Sequence, residues 1–125
     1  MSNKIEKAFD YAKGEISGLK AISAVEVDSG LSHGSLIVDE KFDLDAASAY
    51  NAEVLKAKIK AKNAMGMDKE KIELIIIELS SQIHFIQPTH SEKYLIYMAA
   101  DKSSNLGVTR KVMKEVSSQV QGALN

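Results

Sequence analysis

Apolar residues recur along the chain with two different periods, and each change of period marks an element. Ile5, Phe9, Ala12 and Ile16 stand at helical spacing ahead of Gly18, which predicts a short first helix with one apolar stripe. Ala21 to Val27 is a compact run with β-branched residues. Asp28-Ser29-Gly30 turn chemistry follows, and the apolar pattern resumes from Ser35 to Val38, predicting a strand, a turn and a second strand. Ile72 to Leu79 contains Leu74-Ile75-Ile76-Ile77 without interruption, so a strand here carries apolar side chains on both faces. Gln82 to Gln87 and Lys93 to Ala100 predict two further strands, with Pro88, Thr89 and His90 in the loop between them. Ser103 or Ser104 is the expected cap of a last helix, with Leu106, Val108, Val112, Met113, Val116 and Val120 on one broad face.

Between these strands lies a long helix, predicted from Asp43 to Gly66, with two apolar stripes where a surface helix needs one. Asp43 is the expected N-cap, Asp45 adds a carboxylate where the helix dipole favours it, and Gly66 suits the left-handed residue past the C-terminus. At about 100° per residue, Ala47, Tyr50, Val54, Ala57, Ala61 and Ala64 form one stripe, and Leu44, Ala52, Leu55 and Ile59 form another roughly 130° away. One stripe faces a sheet; the other requires a second cover, from this chain or another. The pattern does not decide which stripe is which.

The element order is α-β-β-α-β-β-β-α, without linker, low-complexity segment or internal repeat, and predicts one domain over residues 1–125. A five-stranded antiparallel sheet with helices on both faces, an α/β (α+β) three-layer sandwich, satisfies the pattern because strands apolar on both sides need cover above and below. If 72–79 is an edge strand, its open ladder is an aggregation hazard that pairing with a second subunit would remove.

Composition removes several function classes. A formal net charge of -1 gives no general electrostatic pull toward nucleic acid or an anionic membrane. No cysteine means no disulfide framework and no thiolate metal site. The start MSNKIEKAFD has no apolar signal core, its Met-Ser is not a myristoylation signal, and no apolar run spans a bilayer; the expectation is a cytoplasmic protein without direct membrane insertion.

Candidate chemistry is sparse. His33, His84 and His90 match no compact zinc motif and read as turn or strand-surface histidines. Asp39, Glu40, Asp43 and Asp45 lack the Gly and terminal Glu of a calcium loop, so capping and solvation account for them. Gly14 to Lys20 fails the phosphate-loop pattern and follows no strand, and no GxSxG elbow surrounds any serine. Lys56, Lys58, Lys60 and Lys62 divide between two sides of the helix instead of forming one patch. No catalytic residue, metal site or cofactor is expected.

The run SSQIHFIQPTHSEKYLIYMAADKSSNLGVTRKVM combines a strand, a Pro-containing loop, an apolar strand, an Asp, and then Asn105-Leu106-Gly107 with Arg110 opening the last helix. Together with VEVDSGLSHGSLIV, whose turn carries Asp28, Gly30 and Leu31, and the Ala-rich helix that follows, it resembles the roadblock family of dynein light-chain type over about residues 4–122. The resemblance implies a profilin-like fold and dimerisation through the long helix and the neighbouring edge strand. It also implies a role as regulator or scaffold for a Ras-like small GTPase or related signalling assembly. The matching interface positions are Tyr50, Val54, Leu55 and Ile59 on the helix, and Leu74, Ile75, Ile76 and Ile77 on the strand. Arg110 is the chain's only arginine, and its place in the Asn-Leu-Gly helix gives it a structural role, so GTPase stimulation would work by ordering the GTPase's own switch residues. The expected function is that of a non-enzymatic homodimer. The alternative is a sensory domain enclosing a small molecule in an apolar pocket, as profilin-like and PAS-like sheets do.

Overall fold

The computed structural model describes residues 3–124; Met1 and Ser2, read above for acylation, and Asn125 lie outside the described residues. The elements are α1 (Asn3–Glu15), β1 (Leu19–Glu26), β2 (Ser32–Ile37), α2 (Leu44–Ala64), β3 (Ile75–Glu78), β4 (Gln82–Pro88), β5 (Tyr94–Asp101) and α3 (Leu106–Leu124). The five strands form one antiparallel sheet in the order β2-β1-β5-β4-β3, so β2 and β3 are its edges.

β1 and β5 carry apolar side chains on both faces, and each face has its own core. On one side Ile22, Ala24, Phe85, Ile96, Met98 and Ala100 pack under α1 and α3, which contribute Phe9, Ala12, Val112, Met113, Val116 and Val120. Gly34 of β2 lets α1 approach closely, since a Cβ there would lie 2.8 Å from Ile5 Cγ2. On the other side Ala21, Val25, Leu95, Tyr97 and Ala99 pack against Leu44, Ala52 and Leu55 of α2. Ser48 joins this inner stripe by a buried hydroxyl pair with Ser23, 3.0 Å across the helix–sheet interface. That satisfies two polar groups which burial would otherwise leave unpaired.

The caps of α2 follow the sequence. Asp43 Oδ1 accepts from the Ala46 N–H at 3.1 Å, and Gly66 takes φ +77° past the C-terminal residue Met65. The cap of α3 does not: Asn105 Oδ1 accepts from the Val108 N–H at 2.9 Å, while the Ser104 hydroxyl donates to the Ser17 carbonyl at 2.6 Å and ties the helix entrance to the end of α1. Leu106 and Val108 consequently lie outward, exposed, instead of sharing the buried face of Val112, Met113, Val116 and Val120.

Two boundaries shift around Pro88. It ends β4 instead of lying in the loop, paired in register with Leu95. The Thr89 N–H is directed to Tyr94 O of β5, so by strand alternation Pro88 presents its backbone toward β3, where a proline has no N–H to offer. β3 therefore begins at Ile75, paired with Ile86, and residues 72–74 leave the sheet instead of starting the strand. Replacing Leu55 by alanine is expected to lower unfolding free energy by about 2–5 kcal/mol, and Val54→Ala by under about 1 kcal/mol, in chemical denaturation at low protein concentration.

Candidate functional site

The structure assigns the two stripes of α2. Leu44, Ser48, Ala52 and Leu55 are buried against the chain's own sheet and Ile59 is half-buried at the edge of the same core. The other stripe looks outward: Tyr50 is 74% and Val54 39% exposed, and Ala57, Ala61 and Ala64 are exposed beyond them, while Ala47 is half-buried. Leu55, with no exposed surface, anchors the helix on the sheet and leaves Tyr50 and Val54 outward.

The four candidate residues at and before β3 divide between the faces. Ile75 and Ile77 lie half-buried on the α2 side, Leu74 packs toward the α1/α3 core, and Ile76, opposite Phe85 and 37% exposed, points to that second side near the sheet edge. β3 is four residues long and ends in Glu78, whose carboxylate accepts from Lys102 Nζ at 2.8 Å. That hydrogen bond and charge hold the carboxyl below its ordinary pKa, so the strand ends in a fixed negative charge. The lysines of α2 separate likewise: Lys56 Nζ bonds Glu53 and the Asp28 carbonyl, Lys62 Nζ reaches Asn63 and the Met67 carbonyl past the helix end, and Lys58 and Lys60 are exposed.

Beside α2 the same face holds a feature that single-residue reading missed. His84 is half-buried between the rings of Phe42 and Tyr97, at centroid distances of 6.1 and 5.4 Å. Burial raises the Tyr97 pKa far beyond neutral, so the phenol stays protonated and donates to His84 Nδ1 at 3.1 Å; Nε2–H then donates to Gln82 Oε1 at 2.7 Å. Desolvation lowers the His84 pKa, and protonation would also remove the acceptor that Tyr97 uses. The alternating Gln82-Ile83-His84-Phe85 pattern placed His84 on a strand; only the sheet register brings Tyr97 beside it.

The acidic cluster is used structurally. Asp39 pairs with Lys20 at 3.5 Å and accepts from the Lys41 N–H, and Asp43 caps α2. Among the described residues no group of three His, Cys, Asp or Glu side chains is placed to hold a metal, and no helix is long and apolar enough to cross a membrane. Every fully enclosed side-chain nitrogen or oxygen among them has a partner. Surface clefts flank α3; one, of about 410 Å³, is lined on its sheet side by Gln87 and Pro88.

These features define a class: a three-layer α/β sandwich with one bare apolar helix face and two edge strands, of which β3 is only four residues long. No family model matches the chain, and no curated protein matches it. Solved structures do. The chain is similar to Myxococcus xanthus MglB, with TM-score 0.85 and 16% identity over 97% of this chain and 94% of that one. It is similar to the Roadblock/LC7 domain from Streptomyces avermitilis, with TM-score 0.81 and 16% identity over 92% of each chain. A third, an MglB with tetrameric arrangement, gives TM-score 0.80 and 12% identity over 99% and 95%. The chain has the roadblock fold.

His84 gives a pH dependence with a definite sign. Its folded pKa lies below the unfolded value of about 6.5, so the unfolded state takes up the proton first as pH falls. Its stabilising contribution is complete above the unfolded pKa and is lost as pH falls from there through the lower folded pKa. Thermal midpoints should decline over that interval in the wild type and less so in His84→Gln; equal declines would remove His84 as the cause.

Proposed function

We propose that this protein is a non-enzymatic homodimer that binds a Ras-like small GTPase or a related signalling assembly, acting as its regulator or scaffold. The observation that carries the reading is the outer stripe of α2. A helix standing alone on its sheet face with Tyr50 and Val54 bare to water presents apolar surface that association would bury.

The stripe supports a specific pairing. It is symmetric about a point between Leu55 and Lys56: Val54 mirrors Ala57, Tyr50 mirrors Ala61, and Ala47 mirrors Ala64. Two copies running antiparallel across a two-fold axis would set each bulky residue against a small one, with Glu53 of one facing Lys58 of the other at the rim. Parallel pairing would stack Tyr50 on Tyr50 and the lysines on each other. Ile76 and the free edge of β3 give a second contact, and the short strand ending in Glu78 limits it to a small ladder. The structural neighbours fit this reading: three are MglB structures, one in a tetrameric arrangement. The function of the GTPase regulator is carried to this chain by the roadblock resemblance. On this reading residues 1–125 form one domain acting in the cytoplasm, with no nucleic-acid partner and no cofactor.

Light scattering should report twice the chain mass for the wild type. Tyr50→Glu and Ala57→Glu should each give a folded monomer, weakening association by about 2 kcal/mol or more, the scale of an interface hot spot. A wild type that stays monomeric at high concentration would refute the pairing. For the partner, capture from native lysate in GTP and in GDP should retain a small GTPase in one nucleotide state and lose it with Tyr50→Glu. If hydrolysis is stimulated, Arg110→Ala should leave stimulation intact; abolition with fold and binding retained would show that Arg110 enters the GTPase site.

A further inference from the structure

The cleft beside α3 opens on the sheet face opposite α2, where residues 71–74 part from β4 at Pro88. Its two adjoining hollows, about 410 and about 250 Å³, share Glu73, Gln87 and Lys114. Leu74, Arg110 and Lys111 complete the smaller one. Gln87 lies opposite Ile96, a member of the α1/α3 core, so its side chain projects to the same side. It is only 9% exposed, yet no described residue hydrogen-bonds its carboxamide. The amide nitrogen and oxygen are also absent from any sealed, unpartnered set, so they look into the cleft.

Charge at this spot is equally unspent. The described ion pairs join Lys20, Lys56 and Lys102 to their acids and leave Arg110, Lys111, Lys114 and Glu73 without a partner. Arg110 and Lys114 are one helical turn apart on α3 and line the same hollow. A surface lysine cluster alone would be solvated and unremarked. Here three cations and one carboxylate, Glu73, ring the smaller hollow around a buried amide whose hydrogen bonds are unfilled, against an apolar wall at Leu74, while the larger hollow adds Lys71 and Glu92, whose charges offset each other.

We propose that this cleft binds a small phosphate-bearing molecule. The Arg110 guanidinium supplies a planar pair of N–H donors to the phosphate oxygens, Lys114 a second charge, and the Gln87 carboxamide a third, uncharged donor. The rim's excess of two positive charges suits a dianion better than a single carboxylate. The larger hollow, lined by Ser118 and Gln121 with Lys71 and Glu92 at its rim, holds the rest of the molecule. The site lies across the sheet from α2 and goes beyond the dimer and GTPase reading: either can fail without the other.

The test is a proton–nitrogen correlation titration of the full-length labelled protein, above the second ionisation of phosphate and with ionic strength fixed by sodium chloride. The probes are glucose 6-phosphate, inorganic phosphate and glucose. The proposal expects saturable shifts of the Gln87 side-chain amide and of the Arg110–Lys114 backbone with the phosphates and none with glucose. Tighter binding of the ester assigns the site to phosphate esters, and equal affinities assign it to free phosphate. Arg110→Gln, an exposed change that leaves the core untouched, should weaken binding about tenfold or more, as loss of a charged hydrogen bond does. Gln87→Leu should do the same, and Lys58→Gln on α2 should change nothing. Shifts that fail to saturate, follow salt alone, or survive Arg110→Gln would overturn the proposal.

Discussion

The structure depends on a sheet whose two central strands are apolar on both faces. Leu95, Tyr97 and Ala99 of β5 point one way and Ile96, Met98 and Ala100 the other, and all are buried. Five strands at about 4.8 Å spacing make a surface roughly 20–24 Å wide, whereas one helix with its side chains is about 10–12 Å across. Two helices, α1 and α3, therefore suffice for one face. The single helix α2 on the other does not, and it sits over β1, β2 and β5. Phe42, His84, Ile75 and Ile77 fill part of the remaining strip and stay half-buried.

That imbalance links fold to function. α2 has no helix neighbour on its own face, so its outer side ought to be polar in a chain meant to stay alone. Instead it carries Tyr50, Val54 and a ladder of alanines that allow a second backbone to approach closely. The inner stripe is built differently: Ser48 and Ala52 bring the helix down onto Ala21 and Ser23, and Leu55 anchors it. Burying Leu55 fully contributes on the order of 2 kcal/mol, so the helix's orientation on the sheet is fixed by the subunit before any partner arrives. On the proposed pairing a partner would meet a preformed surface, which lowers the ordering cost of association.

Much of this was legible in the sequence. The two stripes of α2 follow from spacing, because periodicity reports which side chains share a face, and the order of eight elements and the Asp43 and Gly66 caps follow from spacing together with residue type. The choice of inner stripe was not legible. Both stripes are apolar, and the deciding contact, the hydroxyl pair of Ser23 and Ser48, joins two polar residues that a hydrophobic pattern counts as breaks. By residue type Pro88 belongs to a loop, yet an antiparallel strand tolerates proline at its end where the missing N–H faces an absent neighbour. Asn105 and the serines before it are all capping residue types, and only the tertiary contact of Ser104 with the end of α1 leaves the cap to Asn105. The His84–Tyr97 pair and the Gln87 cleft depend on register across strands, which no local pattern carries.

On the proposed pairing the outer stripe of α2 is covered by the same stripe of a second copy running antiparallel. Because the chain has no cysteine, introduced thiols report on this without background. Mixing Val54→Cys with Ala57→Cys protein under mild oxidation should yield a covalent dimer joined between the two variants. Ala49→Cys, exposed but off the stripe, should not cross-link. Cross-linking no greater for the mixture than for Ala49→Cys would contradict the account.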